Sequence, residues 1–158
     1  MTKEPKPAPE WTVDIWLNTP GPIRLADLAG RVVALHTFQM LCPGCVAHGI
    51  PQAQRIHELF GQADVSVIGL HTVFEHHEAM TPVSLKAFVH EYRLTFPIGV
   101  DRPGQPGPLP VTMERYAMRG TPTLILIDRQ GRLRQHAFGQ VEDMAVGASI
   151  AGLLAEPS

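Results

Sequence analysis

The apolar positions of the chain fall into short blocks whose spacing switches between strand and helix periods. "VVALHTF" (32–38) and "VSVIGLHT" (65–72) are nearly continuous apolar runs with β-branched residues, the pattern of strands covered on both faces. "WTVDIWLNT" reads as a strand near the start and "FPIGVD" (96–101) as a short one. "TPTLILID" (121–128), the turn "DRQG" and "RLRQHAFG" read as a hairpin. Between these, Val46, Ile50, Ala53, Ile56 or His57, and Phe60 form a stripe at helical spacing. Leu85, Phe88, Val89 and Tyr92 form another, behind Thr81 as N-cap and Pro82 at the first helical position. A brief helix is expected over 111–118, and Val146, Ile150 and Leu153 mark a last one. "RPGQPGPLP" reads as a loop.

This order predicts one α/β domain over 11–155. Its central sheet is mixed and flanked by helices on both faces: parallel where helices link the strands, antiparallel at the late hairpin. The Pro-rich, charged residues 1–10 are expected to form a flexible arm.

Composition narrows the function classes. A chain of 158 residues is long enough for one real core. A net charge of −2 gives no electrostatic footprint for nucleic acid or an anionic membrane, so neither is expected as a partner. No apolar run approaches the ~20 residues of a membrane span. The start lacks the apolar stretch of a secretory signal, and a cytoplasmic location is expected.

The chain has two cysteines, both in "FQMLCPGCVAHG" (38–49). In a reducing compartment, such a pair serves exchange chemistry or metal binding more often than structure. Cys42 and Cys45 lie where a buried strand gives way to a helix. A thiolate at a helix start meets unpaired backbone N–H groups. Residues three apart on a helix have Cβ atoms ~5–6 Å apart, close to the ~3.8 Å of a disulfide. Cys42, at the helix start, is therefore the expected nucleophile and Cys45, one turn on, the resolving thiol. Pro43 suits a first turn, and Gly44 keeps the sulfurs clear of a side chain.

With that strand and helix around it, "VVALHTFQMLCPGC" resembles the thioredoxin-like superfamily, and "RGTPTLILIDRQGRL" resembles its later strand and hairpin. Within the superfamily, the chain is similar to the redoxin branch that includes the alkyl hydroperoxide reductase/thiol-specific antioxidant (AhpC/TSA) proteins. The resemblance implies a thioredoxin-like fold and a thiol–disulfide oxidoreductase needing no dissociable cofactor. It also implies a protein or small-molecule disulfide as substrate and a cellular thiol reductant as electron source. Thr121 and Pro122 match the loop whose cis-proline faces the cysteine pair, where the Thr121 backbone would pair with substrate.

Three positions depart from the family pattern. Leu41 stands where tryptophan is usual, and His36 where a buried carboxylate is frequent. His36 shares strand parity with Ala34 and Phe38 and should point inward. There it would be either a proton acceptor for Cys45 or a hydrogen-bonded core histidine. Pro51 follows Cys45 by six residues instead of five, so a kink is expected, with a π-bulge aided by Gly49.

Two other chemistries compete. A thiol peroxidase resembles P-x-x-x-T-x-x-C, but Leu35 and Gln39 occupy those positions before Cys42, and Phe38 and Cys42 before Cys45. Zinc or copper binding could use Cys42, Cys45 and His48, with His71, His76 or His77 as a fourth ligand. "FEHHEAM" (74–80) reads as a solvated loop, since adjacent side chains diverge; a lid or partner contact is its second reading.

Overall fold

The computed structural model describes residues 3–104 and 107–157. The strands are β1 (Val13–Leu17), β2 (Val32–Phe38), β3 (Val65–His71), β4 (Ile98–Asp101), β5 (Thr123–Ile127) and β6 (Leu133–Phe138). The helices are α1 (Ile50–Leu59), α2 (Pro82–Glu91), α3 (Val111–Arg115) and α4 (Asp143–Ala155). Among the described residues, six strands form one sheet in the order β1–β4–β3–β2–β5–β6. β2, β3 and β4 run parallel, joined by helical crossovers. β5 and β6 add an antiparallel edge, and β1 closes the other edge antiparallel to β4.

Every residue of β2 is buried, as its unbroken apolar run requires, because it lies between β3 and β5 with both faces covered. Strand parity sorts the core into two layers. Val32, Ala34 and Phe38, with Val67 and Leu126, pack against α1, α2 and α4 through residues such as Ile56, Leu85 and Ile150. Val33 and Leu35, with Ile68 and Ile125, meet Trp11, a short 3-10 turn at Leu25–Leu28, and Met113 of α3. The mixed sheet with helices on both faces thus follows from the pattern of the strands.

Two helix ends differ from expectation for the same reason. α2 stops at Glu91, because Arg93 takes φ 54° and Leu94 N–H returns to Val89 O. Tyr92 therefore lies outside the buried stripe, 55% exposed, its ring tilted against that of Phe88. α3 stops at Arg115, where Ala117 takes φ 53° and Met118 N–H reaches Met113 O. Both are left-handed caps made without glycine. Thr81 Oγ1 accepts from Ser84 N–H, capping α2 at the expected place. Residues 6–8 run beside the β5–β6 turn: Ala8 N–H donates to Gly131 O, and Leu133 N–H donates to Lys6 O.

Candidate dithiol site

β2 carries the chain to the end of the sheet where Cys42 emerges. Three side chains anchor the intervening loop. Met40 N–H donates to Nε2 of His71, the last residue of β3 (3.1 Å). Gln39 Oε1 accepts Phe74 N–H (3.1 Å), while its Nε2 donates to Thr121 Oγ1 (3.4 Å). Cys42 N–H donates back to Gln39 O (3.0 Å). His71 is buried against Phe38, and burial lowers its pKa to about 4, which keeps it a neutral acceptor.

The helix opens at Pro43, and Val46 N–H donates to Cys42 O. Its next turn, Cys45–Gly49, is widened into a π-turn before α1 begins. The cause is Pro51. Its missing N–H leaves Ala47 O without an α-helical donor, and its ring needs room over that carbonyl; the wide turn supplies it. Gly49 has a different role from the one expected. Its φ of −65° and ψ of −52° are ordinary for a helix, so backbone freedom is not what the glycine provides. A Cβ there would lie 2.4 Å from His36 Cε1 and 3.0 Å from Pro122 Cβ. The position is glycine because His36 and Pro122 occupy the space of its side chain.

The two thiols are free and unequal. Cys42 is half-buried at the helix start, whereas Cys45 is wholly buried. Burial pushes the Cys45 thiol up to about 12; Cys42 beside it adds to the rise, while the Gln39 backbone and the Thr121 side chain oppose it. Cys45 N–H points to Cys42 Sγ (3.4 Å), and the Cys42 thiol donates to Thr121 O (3.5 Å). The Thr121–Pro122 peptide is cis. Cys42, Cys45, Thr121 and Pro122 therefore come together.

His36 points inward from β2 beneath Pro122. Burial lowers its pKa to about 4, and its Nε2 has no protein hydrogen-bond partner. With His48, Gln52, Pro122 and Gln140 it lines a cavity of about 10 Å³, room for about one water. His36 Nε2 therefore makes no hydrogen bond to the Cys45 thiol. The metal alternative lacks an assembled ligand set. His48 faces Gln52 and Gln140, and His71 is committed to Met40. Among the described residues, no three His, Cys, Asp or Glu side chains converge on an ion.

A cleft of about 420 Å³ opens beside Cys42, between Leu41 and Pro43 on one side and Thr121 and Phe138 on another. Phe74, Glu75 and His76 form a further wall, so the "FEHHEAM" segment reaches the site. Sequence reasoning missed the loop-anchoring roles of Gln39 and His71, and missed Arg119 and Phe138 altogether. For the first two a signal existed: each is a polar residue attached to the end of a continuous apolar run, where burial without a partner would be costly.

The chain matches the AhpC/TSA family over residues 5–136. The chain belongs to that family. The chain is similar to the thiol-disulfide oxidoreductase ResA of Bacillus thuringiensis subsp. konkukian (strain 97-27), 26% identical over 118 residues. That match takes in 75% of this chain and 61% of the relative, so the chain spans less than two thirds of it. Among solved structures, a thioredoxin-like superfamily protein is 57% identical, with a TM-score of 0.95 over 97% of this chain and 99% of the other. A thiol-disulfide isomerase from Corynebacterium glutamicum is 50% identical, with a TM-score of 0.92 over 96% and 97%. The fold of this AhpC/TSA member is thioredoxin-like.

Proposed function

We propose that the protein is a thiol–disulfide oxidoreductase that cycles Cys42 and Cys45 between dithiol and disulfide. The observation that carries this reading is the inequality of two adjacent thiols, one reachable from a cleft and one sealed beneath it. The similarity to a thiol-disulfide isomerase over nearly the whole chain supports it.

The chemistry proceeds by two exchanges. The Cys42 thiolate attacks one sulfur of a substrate disulfide; a Cys42–substrate bond forms, the substrate S–S bond breaks, and the departing thiolate takes up a proton. Cys45 then loses its proton and attacks Cys42 Sγ, releasing the second substrate thiol. The substrate gains two electrons and the protein loses them. A thiol or dithiol reductant reverses the protein's half of the cycle. The high pKa of Cys45 keeps it protonated until Cys42 is engaged, so attack starts at one sulfur.

Trapping tests the assignment. Cys45→Ser should accumulate a mixed disulfide on Cys42, seen as a mass increment that a small thiol removes, while Cys42→Ser should accumulate none. A trapped adduct on Cys45 in the second variant would reverse the roles. The peroxidase alternative is read in the same samples. With Leu35 and Gln39 in place of the proline and threonine of a peroxide pocket, peroxide should oxidise Cys42 no faster than free cysteine.

A further inference from the structure

The cleft beside Cys42 carries opposite charges on two of its walls. Glu75 stands on the loop that follows β3, and Arg119 on the segment that precedes Pro122. Among the described residues, neither makes an ion pair. Arg119 is built into its place. Its guanidinium lies over the Phe138 ring, 5.7 Å from the centroid, and the ring packs against Gly120, where a Cβ would approach it to 3.0 Å. Glu75 is followed by His76, which takes φ 49° and whose carbonyl accepts from both Ala79 and Met80 N–H, closing a turn that holds the wall. His76 and the Cys42 thiol are the other titratable side chains lining the cleft. Two large apolar side chains, Leu41 and Phe138, stand 55% and 50% exposed at its borders.

We infer that Glu75 and Arg119 select an extended polypeptide disulfide flanked by charges of opposite sign, and that they fix the direction in which that segment crosses Cys42. The inference rests on the oxidoreductase reading. The occupant follows from the cleft's chemistry. Opposite charges on separate walls favour an occupant with complementary charges on either side of its cysteine. The exposed Leu41 and Phe138 extend the contact beyond the cleft itself, which suits a polypeptide rather than a free small thiol.

The test uses two peptides of identical composition. Each carries one cysteine in mixed disulfide with mercaptoethanol; one has lysine before and aspartate after the cysteine, the other the reverse. The ratio of their kcat/KM values is independent of how much enzyme is active. The unaltered protein should favour one order by about tenfold at low ionic strength, as expected for a few weak exposed ion pairs acting together. High salt should erase the preference. Arg119→Gln and Glu75→Gln should each weaken it, and Glu75→Lys combined with Arg119→Glu should invert it. A ratio near one in the unaltered protein, or a preference that the combined exchange leaves unchanged, overturns the inference. So does faster turnover of cystine, a small zwitterionic disulfide, than of either peptide. If the unaltered protein reduces neither peptide nor an uncharged one, the oxidoreductase reading fails instead.

Discussion

A histidine sealed in a sheet is held neutral, and His36 and His71 are both in that state. Their pKa values of about 4 lie below the ordinary 6.5, so the unfolded chain binds protons first as pH falls. Stability is full above about 6.5 and is lost between there and about 4, by up to about 3 kcal/mol for each histidine. Denaturant midpoints measured across that range should show the loss, and His36→Leu should remove one proton's share. Since the His36 Nε2 has no protein partner, the same variant should keep or gain stability at neutral pH. The same Nε2 makes no hydrogen bond to Cys45, so His36→Leu should resolve a mixed disulfide at an undiminished rate. Slowed resolution would assign the proton to His36. His71→Leu should behave differently, because it strands the buried Met40 N–H: about 2 kcal/mol less stable, with slower attack by Cys42 as the loop before it loosens.

At the scale of elements, the widened turn joins the helix to the sheet through a glycine. If Gly49 were an ordinary helical glycine, Gly49→Ala would stabilise the protein by about 1 kcal/mol. Packed on His36 and Pro122, it should instead destabilise by about 2 kcal/mol, and His36→Ala in the same chain should recover part of that loss. Thermal or denaturant unfolding of the two variants decides the sign. This contact was not legible in the sequence, where Gly49 and His36 are simply a helix glycine and a strand histidine. The strands were legible: β2 and β3, covered on both faces, cannot carry an alternating pattern, and their runs are unmistakable. Cys42 and Cys45 were legible from their spacing, and Pro122 only from its place in the family pattern. The ends of α2 and α3 were not, since Arg93 and Ala117 turn the backbone without a glycine or proline to mark it.

Across the whole molecule, the cleft is assembled from three distant segments: the loop after β2, the loop after β3, and the β5–β6 hairpin with its approach. Neighbouring strands bring them together, and strand neighbours are a property of the sheet, not of any local window. Arg119 and Phe138 therefore gave no sequence signal. The residues before β1 belong to the same long-range assembly. The Pro9 carbonyl accepts from Tyr116 OH, and the Glu10 carbonyl accepts from Arg115. Deleting the chain up to Glu10 should cost about 2 kcal/mol through lost hydrogen bonds. It should also shift Trp11 fluorescence to longer wavelength as that buried ring is wetted.

The bond from the Cys42 thiol to the Thr121 carbonyl has one more consequence. A disulfide has no hydrogen to donate, so every two-electron oxidation takes this donor away from the carbonyl oxygen beside the cleft. The carbonyl then has a free lone pair to offer an incoming amide, and that lone pair is engaged again when the sulfur regains its hydrogen. Oxidation state and grip on a visiting backbone are thereby tied together through a single oxygen atom.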